Sequence, residues 1–246
     1  MTSKTQVEIT EVRDAAALDC AAELPEGVVH LWERPLDASP EEVSASYQLL
    51  SVDEKARAQR FLVDRPRNAF VLTRGTLRTL LARYLGGEPA TIRFHYEAQG
   101  KPYLDGEDTL SFNVSHTDGL ALIGIVRGRR IGVDVEKANR ETEVEKLAER
   151  FFSESERRDL KRLRGDELRA AFFRVWTRKE AYIKATGEGL GLPLDQFDVS
   201  ISAGDRDALQ ATRPDAAEAE QWTISDVAIR SGYAAAVAIA VSGEIE

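Results

Sequence analysis

Residues 131–137 read Ile131-Gly132-Val133-Asp134-Val135-Glu136-Lys137, IGVDVEK, and alternate in the manner of a strand. Successive strand side chains point to opposite faces, so Ile131, Val133 and Val135 share one face while Gly132, Asp134 and Glu136 share the other. Two carboxylates then project together and repel unless a cation lies near. Mg²⁺ takes hard oxygen ligands and accepts a few carboxylates completed by water and substrate phosphates. The plainer alternative for an isolated D-x-E is a strand with a solvated acidic face.

Downstream, FFRVWTRKEAYIKATG (172–187) places Trp176, Glu180 and Lys184 on one helical stripe at i, i+4 and i+8. Glu180 offers a third metal oxygen. Lys184 can balance it or meet a phosphate. On the helix alone, Glu180 and Lys184 are a surface ion pair worth about 0.3–0.5 kcal/mol, with Trp176 in the core. Upstream, SFNVSH (111–116) leads through the turn Thr117-Asp118-Gly119 into the strand LALIGIV (120–126). Ser115 and His116 do not form a hydrolase pair, because neighbouring strand residues face opposite ways and no G-x-S-x-G elbow exists. At a strand end, His116 is better placed to contact a bound phosphate. GEGLG (187–191) follows a helix rather than opening one, which excludes Walker A and dinucleotide fingerprints.

Farther out, Ser39-Pro40-Glu41-Glu42 is an N-cap, N1 proline and acidic first turn. A second helix is expected from about Val52 to Phe61, and a longer one from Arg67 to Leu85 closed by Gly86-Gly87. Strands follow at TIRFHY (91–96), around the turn AQGKPYL (98–104), and at FDVSI, WTISDVAI and AAAVAIAV, with helical pattern from Thr142 to Ala185. Leu72-Thr73-Arg74 can be laid on Trp176-Thr177-Arg178, and GLALIGIV on GYAAAVAIAV, at offsets drifting from about 104 to 113 residues. This predicts an α+β chain of two similar halves, residues 28–128 and 129–246, after a loosely held extension, residues 1–27. Any two α+β halves share some such cadence, so the repeat stays open at this level.

A net charge of −9 argues against general nucleic-acid binding. Yet Lys55, Arg57, Arg60, Arg65, Arg67, Arg74, Arg78 and Arg83 face only Asp64 between positions 55 and 83, a local charge of +7. That asymmetry suits an anionic small molecule or an acidic partner, although a solvated basic helix face is the default for several of these arginines. Cys20 stands alone, and His30, His95 and His116 lack zinc-ligand spacing. No stretch has the order of a signal peptide or the ~20 apolar residues of a membrane span. A soluble cytoplasmic protein is expected.

Taken together, AQGKPYL, FNVSH, IGVDVE and FFSESE followed by WTRKEAYIKATGEGLGLPL resemble, in order and approximate spacing, the Sfp-type 4′-phosphopantetheinyl transferases, over about Val52 to Val199. The resemblance implies a monomer of two α+β halves about a pseudo-two-fold axis, with coenzyme A between them and Mg²⁺ on its pyrophosphate. It implies Asp134, Glu136 and Glu180 as metal ligands and Lys184 near the phosphates. Lys101, Ser115 and His116 would contact the nucleotide, His116 near the 3′-phosphate with a basic residue of the Arg57 to Arg67 stretch. Arg67, then Arg65, then Arg74 compete for the family's 3′-phosphate arginine. Trp176 would support the cleft, Glu156 would lie at the active-site rim, and Ala138 to Phe152 would face an acidic apo carrier protein. The serine's base would be Glu180 or a metal-bound water. A different magnesium-dependent phosphoryl or nucleotidyl transferase is the competing expectation.

Overall fold

The computed structural model describes Glu8–Ile9, Arg13–Asp14 and residues 23–104, 110–139, 142–205 and 208–241. Its first half runs β1 (Glu8–Ile9), β2 (Arg13–Asp14), β3 (Val28–Pro35), α1 (Pro40–Gln48), α2 (Val52–Gln59), α3 (Asp64–Leu85), β4 (Phe94–Tyr96), β5 (Pro102–Leu104), β6 (Leu110–Thr117) and β7 (Leu120–Arg127). The second runs β8 (Ile131–Lys137), α4 (Val144–Phe151), α5 (Glu154–Leu160), α6 (Gly165–Thr186), β9 (Phe197–Val199), β10 (Leu209–Thr212), β11 (Trp222–Asp226) and β12 (Tyr233–Ala240). The fold class is α+β, as expected.

Local chemistry sets the helix ends. The Ser39 hydroxyl accepts from the Glu42 N–H, and the Glu42 carboxylate accepts from the Ser39 N–H, with Pro40 opening α1. α3 begins at Asp64, three residues before the expected Arg67, because Pro66 in a first turn gives up an N–H that has no helical partner anyway. It stops at Gly86, whose φ of 70° is left-handed.

The halves repeat each other. Strand order is β3-β7-β6 in one sheet and β8-β12-β11 in the other, and each half adds a small hairpin, β4–β5 or β9–β10. α3 and α6 are each 22 residues long and start 101 positions apart. Inside each half the same joint recurs. Glu54 receives the Ser51 N–H at 2.9 Å and the buried Arg78 Nε at 2.6 Å, and Arg78 also donates to the carbonyls of Pro89 and Ile92. Glu156 receives the Ser153 N–H at 2.9 Å and the buried Lys179 Nζ at 2.8 Å, and Lys179 donates to the carbonyls of Leu194 and Phe197. Helix ends and buried cation alike give an offset of 101, so the Thr-Arg match at 104 is out of step by three residues, close to one helical turn.

Three layers of apolar packing hold this together. Val29, Leu31, Leu120 and Leu122 of one sheet meet Ile131, Val133, Val135 and Val237 of the other face to face. Gly124 permits the approach, since a Cβ there would lie 2.7 Å from Val133 Cγ1. The outer face of the first sheet (Trp32, Phe112, Ile123, Ile125) is covered by Leu77, Leu80 and Leu81 of α3, and that of the second by Phe173 and Tyr182 of α6. β1 and β2 pair in parallel with β3, so those four residues of the N-terminal stretch are held on the sheet rather than loose; the rest of residues 1–22 lies outside the described residues. Among the described residues no helix is long and apolar enough to cross a membrane.

Candidate active site

β8 is sandwiched between the other sheet on its Val133 face and α6 on its Asp134 face. Gly132 makes this possible: a Cβ would lie 2.1 Å from the Ala181 carbonyl oxygen, so helix backbone rests directly on strand backbone. One turn further along α6, Lys184 Nζ reaches Asp134 Oδ1 at 2.6 Å. Ser115 of β6 completes the group, its hydroxyl donating to Asp134 Oδ1 at 2.8 Å and accepting from Lys184 Nζ at 2.9 Å. Asp134 is only 4% exposed, and its second oxygen, Oδ2, is buried with no protein hydrogen-bond partner.

Glu136, two residues along the same face, accepts from Thr117 Oγ1 at 3.3 Å. Burial pushes the Glu180 carboxyl up from its ordinary pKa; the negative charges of Asp134 and Glu136 add to this, while Lys184 opposes it. The three acids therefore feel one another across strand and helix. Among the described residues they do not converge into a ready-made cage of three or more ligands. Mg²⁺ needs no such cage, because it binds through one or two carboxylates with waters and substrate phosphates. An orphaned buried carboxylate oxygen beside two more acids fits it.

β6 supplies a polar stripe, of which the sequence singles out Ser115 alone. Asn113 Oδ1 accepts from the Val133 N–H at 2.9 Å, Ser115 holds Asp134, and Thr117 Oγ1 reaches both Glu136 and the Lys137 N–H. Asn113, Ser115 and Thr117 stand at i, i+2 and i+4, so they share the face of β6 that meets β8. The available signal was the N-x-S-x-T alternation itself.

His116 points the other way, into a cleft of about 1030 Å³ lined also by Asp64, Arg65, Pro66, Asp118 and Lys137. Partial enclosure lowers its pKa, helped by the positive charges of Lys184 and Arg57. Arg57 is thus electrostatically within reach of His116, and its guanidinium lies 5.1 Å from the Phe70 ring centroid. Arg67 pairs with Asp64 at 3.0 Å. Arg65 pairs with Asp118, which also holds Lys137 Nζ at 2.9 Å across the cleft.

Other candidates sit elsewhere. Arg74 and Arg78 are buried on Glu54, one position outside the stretch counted as basic, so both are part of the α2–α3 joint. Lys101 Nζ donates to the carbonyls of Ile131 at 3.1 Å and Ala185 at 3.2 Å, tying the β4–β5 turn to the start of β8 and the end of α6. Trp176 packs among Phe151, Phe152 and Phe172. Glu156, expected at the rim, is 2% exposed and belongs to the α5–α6 joint. In the segment expected to meet a carrier, Val144, Leu147 and Phe151 of α4 turn inward, and positions 140–141 lie outside the described residues.

Carboxylates and a lysine next to a cleft with basic residues on its wall are a donor set of the kind that transfer of a phosphate-linked group requires. Residues 130–238 match the family described as the 4′-phosphopantetheinyl transferase superfamily, and residues 34–125 match that described as 4′-phosphopantetheinyl transferase, N-terminal. The 4′-phosphopantetheinyl transferase HetI of Nostoc sp. is 38% identical over 218 residues, covering 87% of this chain and 89% of that protein. The 4′-phosphopantetheinyl transferase Sfp of Bacillus subtilis is 32% identical over 169 residues, 69% of this chain and 73% of Sfp. This chain belongs to the 4′-phosphopantetheinyl transferase superfamily.

Proposed function

We propose that the protein transfers the 4′-phosphopantetheine group of coenzyme A to a serine of an apo acyl or peptidyl carrier protein, with Mg²⁺, releasing 3′,5′-ADP. Family membership supports the reaction. The observation that carries the site is the buried, unpartnered Oδ2 of Asp134 beside Glu136 and Glu180. Asp134, Glu136 and Glu180 would hold Mg²⁺, which when bound neutralises charge on the pyrophosphate.

The chain's own groups divide the remaining work. Lys184, held by Asp134 and Ser115, keeps an ammonium beside the pyrophosphate site. Glu180, on the same stripe of α6 as Lys184, takes the proton of the attacking serine hydroxyl. His116, whose pKa the charge of Arg57 helps to lower, and Arg57 itself serve the 3′-phosphate, with Arg67 next in order. Lys101 and Trp176 act by fixing β8 and α6, and the carrier approaches by the cleft mouth. The protein acts as a monomer organised as residues 28–128 and 129–246 after an N-terminal extension, a division that the repeated strand order and the two 22-residue helices support. Mass spectrometry of apo carriers incubated with enzyme, coenzyme A and Mg²⁺ tests this. The phosphopantetheine mass should appear on a serine and vanish with chelator; unmodified carriers throughout would refute it.

A further inference from the structure

The turn between α2 and α3 leaves two consecutive apolar side chains in water: Leu62 is 100% exposed and Val63 is 61% exposed. Phe61 just before them is anchored against Phe70, with ring centroids 5.7 Å apart, so the turn has a fixed base. Four arginines, Arg57, Arg60, Arg65 and Arg67, surround it against Asp64 alone. Among the described residues Arg57 and Arg60 form no ion pair, whereas Arg74 and Arg78 of the same basic stretch are neutralised inside. The next residues, Asp64, Arg65 and Pro66, line the cleft that His116 enters. Apolar residues flanked by the unpaired Arg57 and Arg60 beside the mouth of a cleft, where Arg65 and Arg67 are held by Asp118 and Asp64, form an interaction ledge rather than scattered surface hydrophobics.

Resting on the function proposed above, we propose that the Leu62–Val63 turn with Arg60 is a ledge on which the carrier-protein substrate seats an acidic surface with an apolar edge. Coenzyme A alone does not explain it, because nothing in a phosphate calls for a fully exposed leucine. Charge selects the occupant: the rim is basic, and the partner that delivers a serine to the carboxylates must pass it. A second copy of this chain is a poorer occupant, since each copy carries a net charge of −9.

The test uses Leu62→Glu and Arg60→Glu in the full chain, both at exposed positions where the fold does not depend on the side chain. KM is measured separately for coenzyme A and for an apo acyl carrier protein that the unaltered enzyme modifies, at low and physiological salt. Leu62→Glu should raise the carrier KM about tenfold while the coenzyme A KM stays within about twofold. Arg60→Glu should raise the carrier KM and flatten its salt dependence. Unchanged carrier KM in both variants overturns the ledge and leaves the proposed reaction standing. A change of sedimentation in Leu62→Glu with unchanged carrier KM overturns it too, by giving the ledge to a second copy. An unaltered enzyme inert toward every carrier refutes the reaction itself, and the ledge with it.

Discussion

The two oxygens of Asp134 stand in different surroundings. Oδ1 is shared by Lys184 and Ser115, while Oδ2 has no protein partner. Asp134→Asn keeps the volume but removes the charge, so transfer should fall by about 10³-fold or more. The same change leaves Lys184 without its anion and should cost about 1–3 kcal/mol, at the modest end because Lys184 is partly solvated. Carrier labelling rates and urea midpoints measure the two losses; a variant that labels at the normal rate would refute the metal assignment. His116 makes a second prediction. Its lowered pKa means the ring is mostly neutral near pH 7, and a 3′-phosphate favours the protonated form. The coenzyme A KM should therefore fall as pH drops from 8 to 6.5, and His116→Ala should lose that trend for coenzyme A while behaving like the unaltered enzyme toward the 3′-dephospho analogue. At this scale the sequence disclosed what lies on one element: Asp134 and Glu136 by a period of two, Glu180 and Lys184 by a period near four. It could not disclose that Ser115 bridges Asp134 and Lys184, because that contact joins three elements separated by 19 and 69 residues.

Between elements, close approach decides the geometry. Gly132 lets α6 lie on β8, and this sets the reach from Lys184 to Asp134. Gly132→Ala would drive a methyl into the Ala181 carbonyl, which is backbone and cannot yield cheaply. The expected result is a stability loss of about 1–3 kcal/mol or more with transfer impaired in the fraction still folded, read from urea midpoints and labelling rates. The α2–α3 joint gives a contrast within one helix. Arg78→Met takes from Glu54, 3% exposed, its closer arginine, leaving it the Ser51 N–H and Arg74 at 3.5 Å, and should destabilise by about 3 kcal/mol, whereas Arg83→Met at an exposed position should be near neutral. Thermal melts of the two variants separate them. Arg78 looked like one more member of a basic face because helical pattern gives little weight to the residue just before the window, and Glu54 sits there. Helix and strand identities were legible from capping boxes, terminal glycines and alternation. The short β10 at Leu209–Thr212 was not, as four residues, LQAT, carry too little pattern.

For the whole molecule, two sheets share one apolar layer, and the site forms where β6, β8 and α6 meet beside that layer. The two-half plan was visible as a cadence in the sequence, but its register was not, since it is fixed by buried joints whose partners are distant. Lys101 tests how the halves cohere. Its ammonium, from the first half, donates to Ile131 at the head of β8 and Ala185 at the end of α6, where Arg130 Nε also reaches the Ala185 carbonyl. Cations suit a helix C-terminus. Burial nevertheless lowers the Lys101 pKa to about 8, Arg130 pushing the same way and Glu97 opposing. Between pH 8 and about 10.5 the unfolded chain keeps a proton that the folded chain has released, so this group's contribution to stability rises with pH. Lys101→Met removes the titration. The stability of the unaltered protein relative to this variant should therefore increase from pH 7.5 to 10, by about 1–3 kcal/mol given the partial exposure of the side chain. Urea denaturation of both proteins at three pH values gives the difference directly, cancelling every other tyrosine and lysine; a flat difference would mean that the ammonium is solvated and the tie is not made. The coenzyme A KM of the variant then decides between tie and ligand contact. A tie predicts lower stability at high pH with KM little changed, whereas a nucleotide contact, as the G-K-P motif suggested, predicts a raised KM at every pH.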